Sequence, residues 1–376
     1  MIPRRARVGP HSAPQGVRAT VGIMRAIVIP RNGPPSVFED REIEEKPLRP
    51  QDVRIRIEAA GVNFADLMGR IGLYPDAPKL PYAPGYEVAG VVEEAGSRAE
   101  SRLPPGTRVM ATTRFWGYAD RVRVPSHQVA VLPEALPFAE AAAIPVNYLT
   151  AYLALIRCGG AMAGDRVLVH GGAGGVGLAV LDLARELDIE LYATAGSRAK
   201  CERLESLGVV HAVNYREQAY EKAFREHLSG KGFHLILDPL GPASFAKGLD
   251  LLEPLGRIVC YGFSSLVTGP KRRLWKAVTK VLGAQKVNPI TLMNKNQGVF
   301  GLNLAQLFHE KALHQQAMDT IAERMEQERL HPTVDRVFGL TAAGAAGAHS
   351  YLHERRNFGK VVLLRGAPDA GEPYTK

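Results

Sequence analysis

The spacing of apolar positions changes character along the chain. From residue 24 to about 132 they come in short alternating or continuous runs, 25–29, 53–57, 86–94, 107–111, 119–124 and 128–132, which predict strands. Gly61, Pro75, Pro84, Gly96, Pro104, Pro105, Gly106 and Pro125 fall between or beside these runs and mark turns. Many short strands with little helix predict a compact β-barrel-like unit. Residues 139–157 then read as helix, with a break near Pro145.

From about 165 the period alternates. Strands at 166–170, 189–194, 211–214, 234–238 and 257–261 are separated by helices at 176–187, 199–207, 219–229 and 243–252. Runs such as Leu235-Ile236-Leu237 and Ile258-Val259-Cys260 are apolar throughout, as strands buried on both faces are. This alternation predicts an α/β fold with a doubly wound parallel sheet. It ends near 299–302, and a long helix (304–328), a strand (333–338), an alanine-rich helix (341–354) and a terminal strand (360–364) follow.

The chain has 376 residues, which at about 150 per domain predicts two units. Hydrophobic residues at 46% and charged residues at 23% exclude a disordered, collagen-like or coiled-coil chain. No apolar run approaches the ~18 residues that span a bilayer. The three cysteines (Cys158, Cys201, Cys260) are too few and scattered for a disulfide framework or a four-thiolate zinc site, so a reducing, cytoplasmic location is expected. Four of the nine surplus positive charges (Arg4, Arg5, Arg7, Arg18) lie in residues 1–23, which hold no acid. That proline-containing head reads as a disordered basic tail, or as an over-extended start before Met24; an organelle presequence is the other reading. The remaining surplus is an ordinary solubility charge, and no nucleic-acid partner is expected from it.

The strongest motif is Gly172-Ala173-Gly174-Gly175-Val176-Gly177, a G-x-G-x-x-G between the strand 166–170 and the helix from 176. The first glycine permits the tight turn, the second lets backbone approach a pyrophosphate, and the third lets helix and strand pack closely. A helix N-terminus there offers unpaired N–H groups to phosphate. The residues after the second strand, Thr194 to Lys200, contain no acid to hold a ribose 2′-hydroxyl. Ser197 can hydrogen-bond a 2′-phosphate, and Lys200 or Arg198 can neutralise it, which favours NADPH over NADH. The alternative is that Arg198 and Lys200 merely decorate a helix start. Tyr215, after the third strand, can flank the same phosphate or the adenine.

Gly61-Val62-Asn63-Phe64-Ala65-Asp66, Gly72-Leu73-Tyr74, Pro84-Gly85-Tyr86-Glu87-Val88-Ala89-Gly90, the glycine loop and Asn357-Phe358-Gly359-Lys360-Val361-Val362-Leu363 together resemble the zinc-independent quinone oxidoreductase (zeta-crystallin-like) branch of the medium-chain dehydrogenase/reductases. Gly262-Phe263-Ser264-Ser265 and Asn63 to Met68 are most similar, within it, to the synaptic vesicle membrane protein (vesicle amine transport) homologues. The resemblance covers nearly all of 24–365. It implies a GroES-like catalytic domain at 24–146, completed by 304–376, with a Rossmann domain at 147–303 inserted between, and a homodimer. It implies Asn63 and Tyr74 beside the nicotinamide, and Ala173 to Val176 on the pyrophosphate. Gly196, Ser197, Lys200 and Tyr215 would surround the adenosine phosphate, with Phe263 to Ser265, after Gly262, near the cofactor's middle. In that reading Asn63 orients the carboxamide or a substrate oxygen. Tyr74 hydrogen-bonds the cofactor, donates a proton to the reduced acceptor, or only packs. Met68 stands where some bacterial members have a second tyrosine.

Zinc members of the superfamily carry a cysteine and a Gly-His-Glu histidine where this chain has Gly61-Val62-Asn63 and Gly85-Tyr86-Glu87. A lone Glu87 does not make a three-ligand catalytic site. The expected activity is therefore hydride transfer from NADPH to an acceptor already electrophilic, a quinone or an α,β-unsaturated carbonyl. Residues 270–286 hold six cations and no acid, with Leu274, Val278, Val281 and Leu282 at helical spacing. They read as a cleft lid or dimer element, or as a membrane-surface helix, which makes a low-activity phospholipid-binding protein the alternative function. His170 reads as a structural histidine.

Overall fold

The computed structural model describes residues 22–266 and 287–375, and the basic segment 270–286 and nearly all of the head lie outside them. Six parallel strands form one sheet in the order His211–Asn214, Glu190–Ala195, Arg166–His170, Phe233–Asp238, Leu252–Cys260 and Gly298–Gly301. Numbered along the chain this is 3-2-1-4-5-6, the dinucleotide-binding order. The strands alternate between two cores. Val167, Val169, Leu235 and Leu237 pack with the helices Gly175–Ala184 and Arg198–Ser206. Leu168, Ile236 and Ile258 pack with Tyr220, Phe224 and Phe245 of the helices Tyr220–His227 and Pro242–Leu249. Both faces are covered, which is why these strands read as continuous apolar runs.

The second sheet has eight strands. Its main path runs Glu372–Pro373, Val334–Gly339, Lys360–Leu364, Asp52–Val62, Glu87–Ala95, Arg108–Thr112 and Val129–Val131, and Arg121–Pro125 also pairs with Asp52–Val62. The C-terminal segment thus completes the N-terminal unit, with Val361 opposite Val62 in an antiparallel register. Helix Pro145–Tyr152, continued by a π-turn at Leu153–Cys158, packs against the glycine-loop helix and joins the two units.

Three elements differ from the sequence pattern. Strand Glu39–Glu44 is almost wholly exposed and polar, so it carried no period; it forms by pairing with Ile23–Val28. Helix Phe64–Arg70 was hidden among the turn signals of that region. The expected helix over 304–328 is two, Leu304–Leu307 and Lys311–Glu326, interrupted where Phe308 is buried against His314.

Candidate functional site

A cavity of about 1270 Å³ lies between the carboxyl ends of the parallel strands and the β-rich unit. The glycine loop forms one wall through Ala173, Gly174, Gly175, Val176 and Gly177. Gly172 is not on that wall; a side chain there would meet the Ala193 methyl at 2.7 Å, so its role is in strand–helix packing. A Cβ on Gly177 would strike the Gly172 carbonyl, and one on Gly175 would strike the Asn147 amide. The loop is held from the other unit as well, since Gly359 N–H donates to the Ala173 carbonyl at 2.9 Å.

At one end of the cavity stand Gly196, Lys200, Tyr215 and Arg355. Lys200 Nζ donates to the carbonyls of Arg355 and Asn357, both at 2.7 Å. Burial lowers the Lys200 pKa, and nearby Arg216 and Arg355 push it the same way against Asp335. Arg216 lies close enough to Gly196 that an added Cβ would be 3.4 Å from Nε. Two of the expected residues have other partners here. Arg198 is exposed and paired with Glu202 at 2.8 Å along its own helix, because the i,i+4 spacing offers an acid. Ser197 is not on the cavity wall: it N-caps that helix, with its hydroxyl 3.4 Å from Lys200 N–H. Sequence reasoning did not single out Arg216 or Arg355, whose charges stand near Lys200. Arg216 was legible beside Tyr215, whereas Arg355 comes from the far end of the chain.

Toward the middle, Gly262, Phe263 and Ser264 line the cavity. Ser265 does not; its N–H donates to the Leu240 carbonyl at 3.0 Å. His170 is buried, with Nδ1 3.1 Å from Thr194 Oγ1 and no partner on Nε2.

At the other end Asn63 and Tyr74 both reach the wall. Asn63 precedes helix Phe64–Arg70, and its N–H donates to Asp66 Oδ2 at 2.8 Å. Burial pushes the Asp66 carboxyl up to about 7, against two amide donors and the Lys360 charge. Asn63 Nδ2 donates to Glu87 Oε1 at 2.8 Å, and Asn63 Oδ1 accepts from Lys360 Nζ at 2.7 Å. Lys360 and Glu87 form a direct ion pair that is almost fully buried, 3% and 0% exposed at their side chains. Glu87 Oε2 accepts from Val146 N–H at 2.7 Å. Tyr74 stands edge-on to Tyr86, ring centroids 5.9 Å apart, and burial raises its pKa while the Tyr86 hydroxyl draws it back. Phe64, Met68, Leu73, Leu304 and Phe308 make this end apolar. Its rim is tied across by Gln306 Nε2 donating to Asp76 Oδ2 at 2.9 Å.

Two family models match the chain, an alcohol dehydrogenase GroES-like domain over residues 49–146 and a zinc-binding dehydrogenase over 207–363. Over 318 residues it is 39% identical to the synaptic vesicle membrane protein VAT-1 homolog of Rattus norvegicus, spanning 84% of this chain and 78% of that protein. It is 33% identical to the quinone oxidoreductase of Homo sapiens, over 91% of this chain and 98% of the other. The chain belongs to the medium-chain dehydrogenase/reductase superfamily. Among solved structures, Escherichia coli quinone oxidoreductase complexed with NADPH matches with a TM-score of 0.78 at 26% identity, covering 90% of this chain and 99% of that one.

A medium-chain dehydrogenase/reductase is an NAD(P)-dependent oxidoreductase, and the cavity fits a dinucleotide: side-chain-free backbone at the loop, cations at one end, an apolar chamber at the other. The residues do not fit the zinc ion of the alcohol dehydrogenases. Asn63 and Tyr86 offer an amide and a phenol; of the carboxylates beside them, Glu87 already holds the Lys360 ammonium and Asp66 accepts the Asn63 and Gly85 N–H groups. Among the described residues no cluster of three or more His, Cys, Asp or Glu could hold a metal.

Proposed function

We propose that the protein is an NADPH-dependent, zinc-independent reductase of quinones or related α,β-unsaturated carbonyls. One observation carries this reading: a single cavity joins a cation-lined end at Lys200 and Arg355 to an apolar end at Tyr74 and Phe308. Bound NADPH would supply the hydride. The chain's part is to bind and orient. Glycine-loop N–H groups would hold the pyrophosphate, and Lys200, Tyr215 and Arg355, with Arg216 nearby, would hold the 2′-phosphate. Phe64, Met68, Leu304 and Phe308 exclude water from the acceptor. Hydride addition leaves an electron-rich acceptor oxygen that takes up a proton. Tyr74 keeps its proton at neutral pH, because burial holds its pKa above the ordinary tyrosine value, and its hydroxyl is the donor.

The test is to follow NADPH and NADH oxidation by absorbance across a panel of quinones, enones and simple ketones. Faster turnover of quinones or enones with NADPH is the expected result; equal use of both nucleotides, or preference for simple ketones, defeats the reading.

A homodimer is proposed too. Strand Gly298–Gly301 is the last of its sheet, no described strand pairs with its outer edge, and its own Phe300 is half exposed. A second copy adding its own edge strand would satisfy those backbone groups. Sedimentation at micromolar concentration should give twice the chain mass, and a monomer would refute it.

A further inference from the structure

We infer that the buried Lys360–Glu87 pair is a positioning device that locks the Asn63 amide so that it can only accept a hydrogen bond from a molecule in the cavity.

The argument is an inventory of donors and acceptors. Lys360 Nζ has protons to donate and nothing to accept with; Glu87 as a carboxylate accepts only. Between them the Asn63 amide has one permitted orientation, oxygen toward Lys360 and nitrogen toward Glu87. Its two N–H groups are then used, one on Glu87 Oε1 at 2.8 Å and the other on the Gly61 carbonyl at 3.4 Å. Oδ1 accepts from Lys360 and faces the Asp66 N–H in the capping box, so the only bond the amide can still make to a ligand is one it accepts at this oxygen. The three protons of Lys360 are likewise directed at Glu87, at Asn63 Oδ1 and, at 3.5 Å, at Asn147 Oδ1. The cluster therefore has no proton to give to a reacting oxygen.

The fold places these groups by register. Val361 is opposite Val62 in the closing strand pair, so the next residues outward, Lys360 and Asn63, meet at the cavity wall. Gly359, immediately before, is bonded to the glycine loop, and Asn147 abuts Gly175. The same pair thus ties the phosphate-binding turn to Asn63.

This bears on a choice that the sequence left open. An amide with no free N–H cannot hold a substrate carbonyl oxygen, but it can accept from the amino group of a nicotinamide carboxamide. The inference rests on the cofactor part of the proposed function, not on the acceptor.

Calorimetry with NADPH and with its 3-acetylpyridine analogue, which replaces the carboxamide amino group by a methyl, tests it. The intact protein should bind NADPH about tenfold more tightly, the scale of one hydrogen bond, and Asn63→Ala should bind both about equally. The double variant Lys360→Met/Glu87→Gln keeps the cluster neutral and should lose the same discrimination while still binding NADPH. Should that variant not fold, Lys360→Met alone, which removes the donor to Asn63 Oδ1, is read by the same pair of titrations. Equal affinities in the intact protein, or full discrimination in a folded Lys360 variant, overturn the inference. Absence of heat with either nucleotide overturns it together with the cofactor reading. Nucleotide binding with discrimination but no turnover of any quinone or enone leaves it standing and removes the proposed activity alone.

Discussion

Arg355 donates from Nη1 to the phenolic oxygen of Tyr215, 3.1 Å away, although 140 positions separate them in the chain. The bond brings a guanidinium of the C-terminal segment to the Lys200 end of the cavity, where Lys200 already grips the Arg355 carbonyl. Arg355→Ala should weaken NADPH binding by roughly 10–100-fold, the ~1.5–3 kcal/mol of a charge-assisted hydrogen bond, and leave NADH nearly unchanged. Lys200→Ala should do the same and also lower the melting temperature, because it releases two backbone carbonyls. Paired titrations with both nucleotides decide this; equal losses would move the phosphate site elsewhere.

Tyr74→Phe should lower kcat by about 100-fold, within the usual range for a general acid, with the NADPH Kd unchanged. Since burial raises the Tyr74 pKa, the rate limited by this group should be flat through neutral pH and fall only in strong alkali. A kcat unaffected by the substitution would make the hydroxyl a packing group.

Gly177→Ala should abolish nucleotide binding and reduce stability together, because the new methyl overlaps the Gly172 carbonyl and neither backbone can yield without opening the turn. Loss of the thermal upshift with NADPH is the measurement, and a normal upshift would be incompatible with the loop geometry.

His314 predicts an acid transition. Burial lowers its pKa from 6.5 to about 4, and Nε2 lies 2.9 Å from Thr112 Oγ1. The unfolded chain takes up this proton first, so the stabilisation is complete above 6.5 and disappears as the pH falls toward 4. The loss is about 3 kcal/mol at one site. His170 and His349 are lowered by burial too and act in the same direction. Urea unfolding across this range should show the decline, and His314→Gln should make it shallower; an unchanged slope would place the acid sensitivity elsewhere.

The parallel sheet, the glycine turn and the missing acid after the second strand were readable because each is a local pattern. A buried strand is an apolar run, a phosphate turn is a glycine spacing, and an absent carboxylate is visible within a few residues. Strand Glu39–Glu44 was not readable, since its only support is a partner strand. Ser197 and Arg198 show partners that spacing from the glycine loop does not record. Both lie at the right distance from the glycine loop, yet helix capping and an i,i+4 ion pair claim them.

By itself, then, the sequence determined the two architectures, their order along the chain and the glycine turn between the first strand and helix of the parallel sheet, all of which depend on neighbours within one strand or helix. Tertiary structure decided that Arg355 stands beside Tyr215 and that Lys360 and Glu87 close on Asn63. The Arg355–Tyr215 contact spans 140 residues and the Lys360–Asn63 contact 297, and a buried charge settles where folding supplies a partner, which no periodicity records.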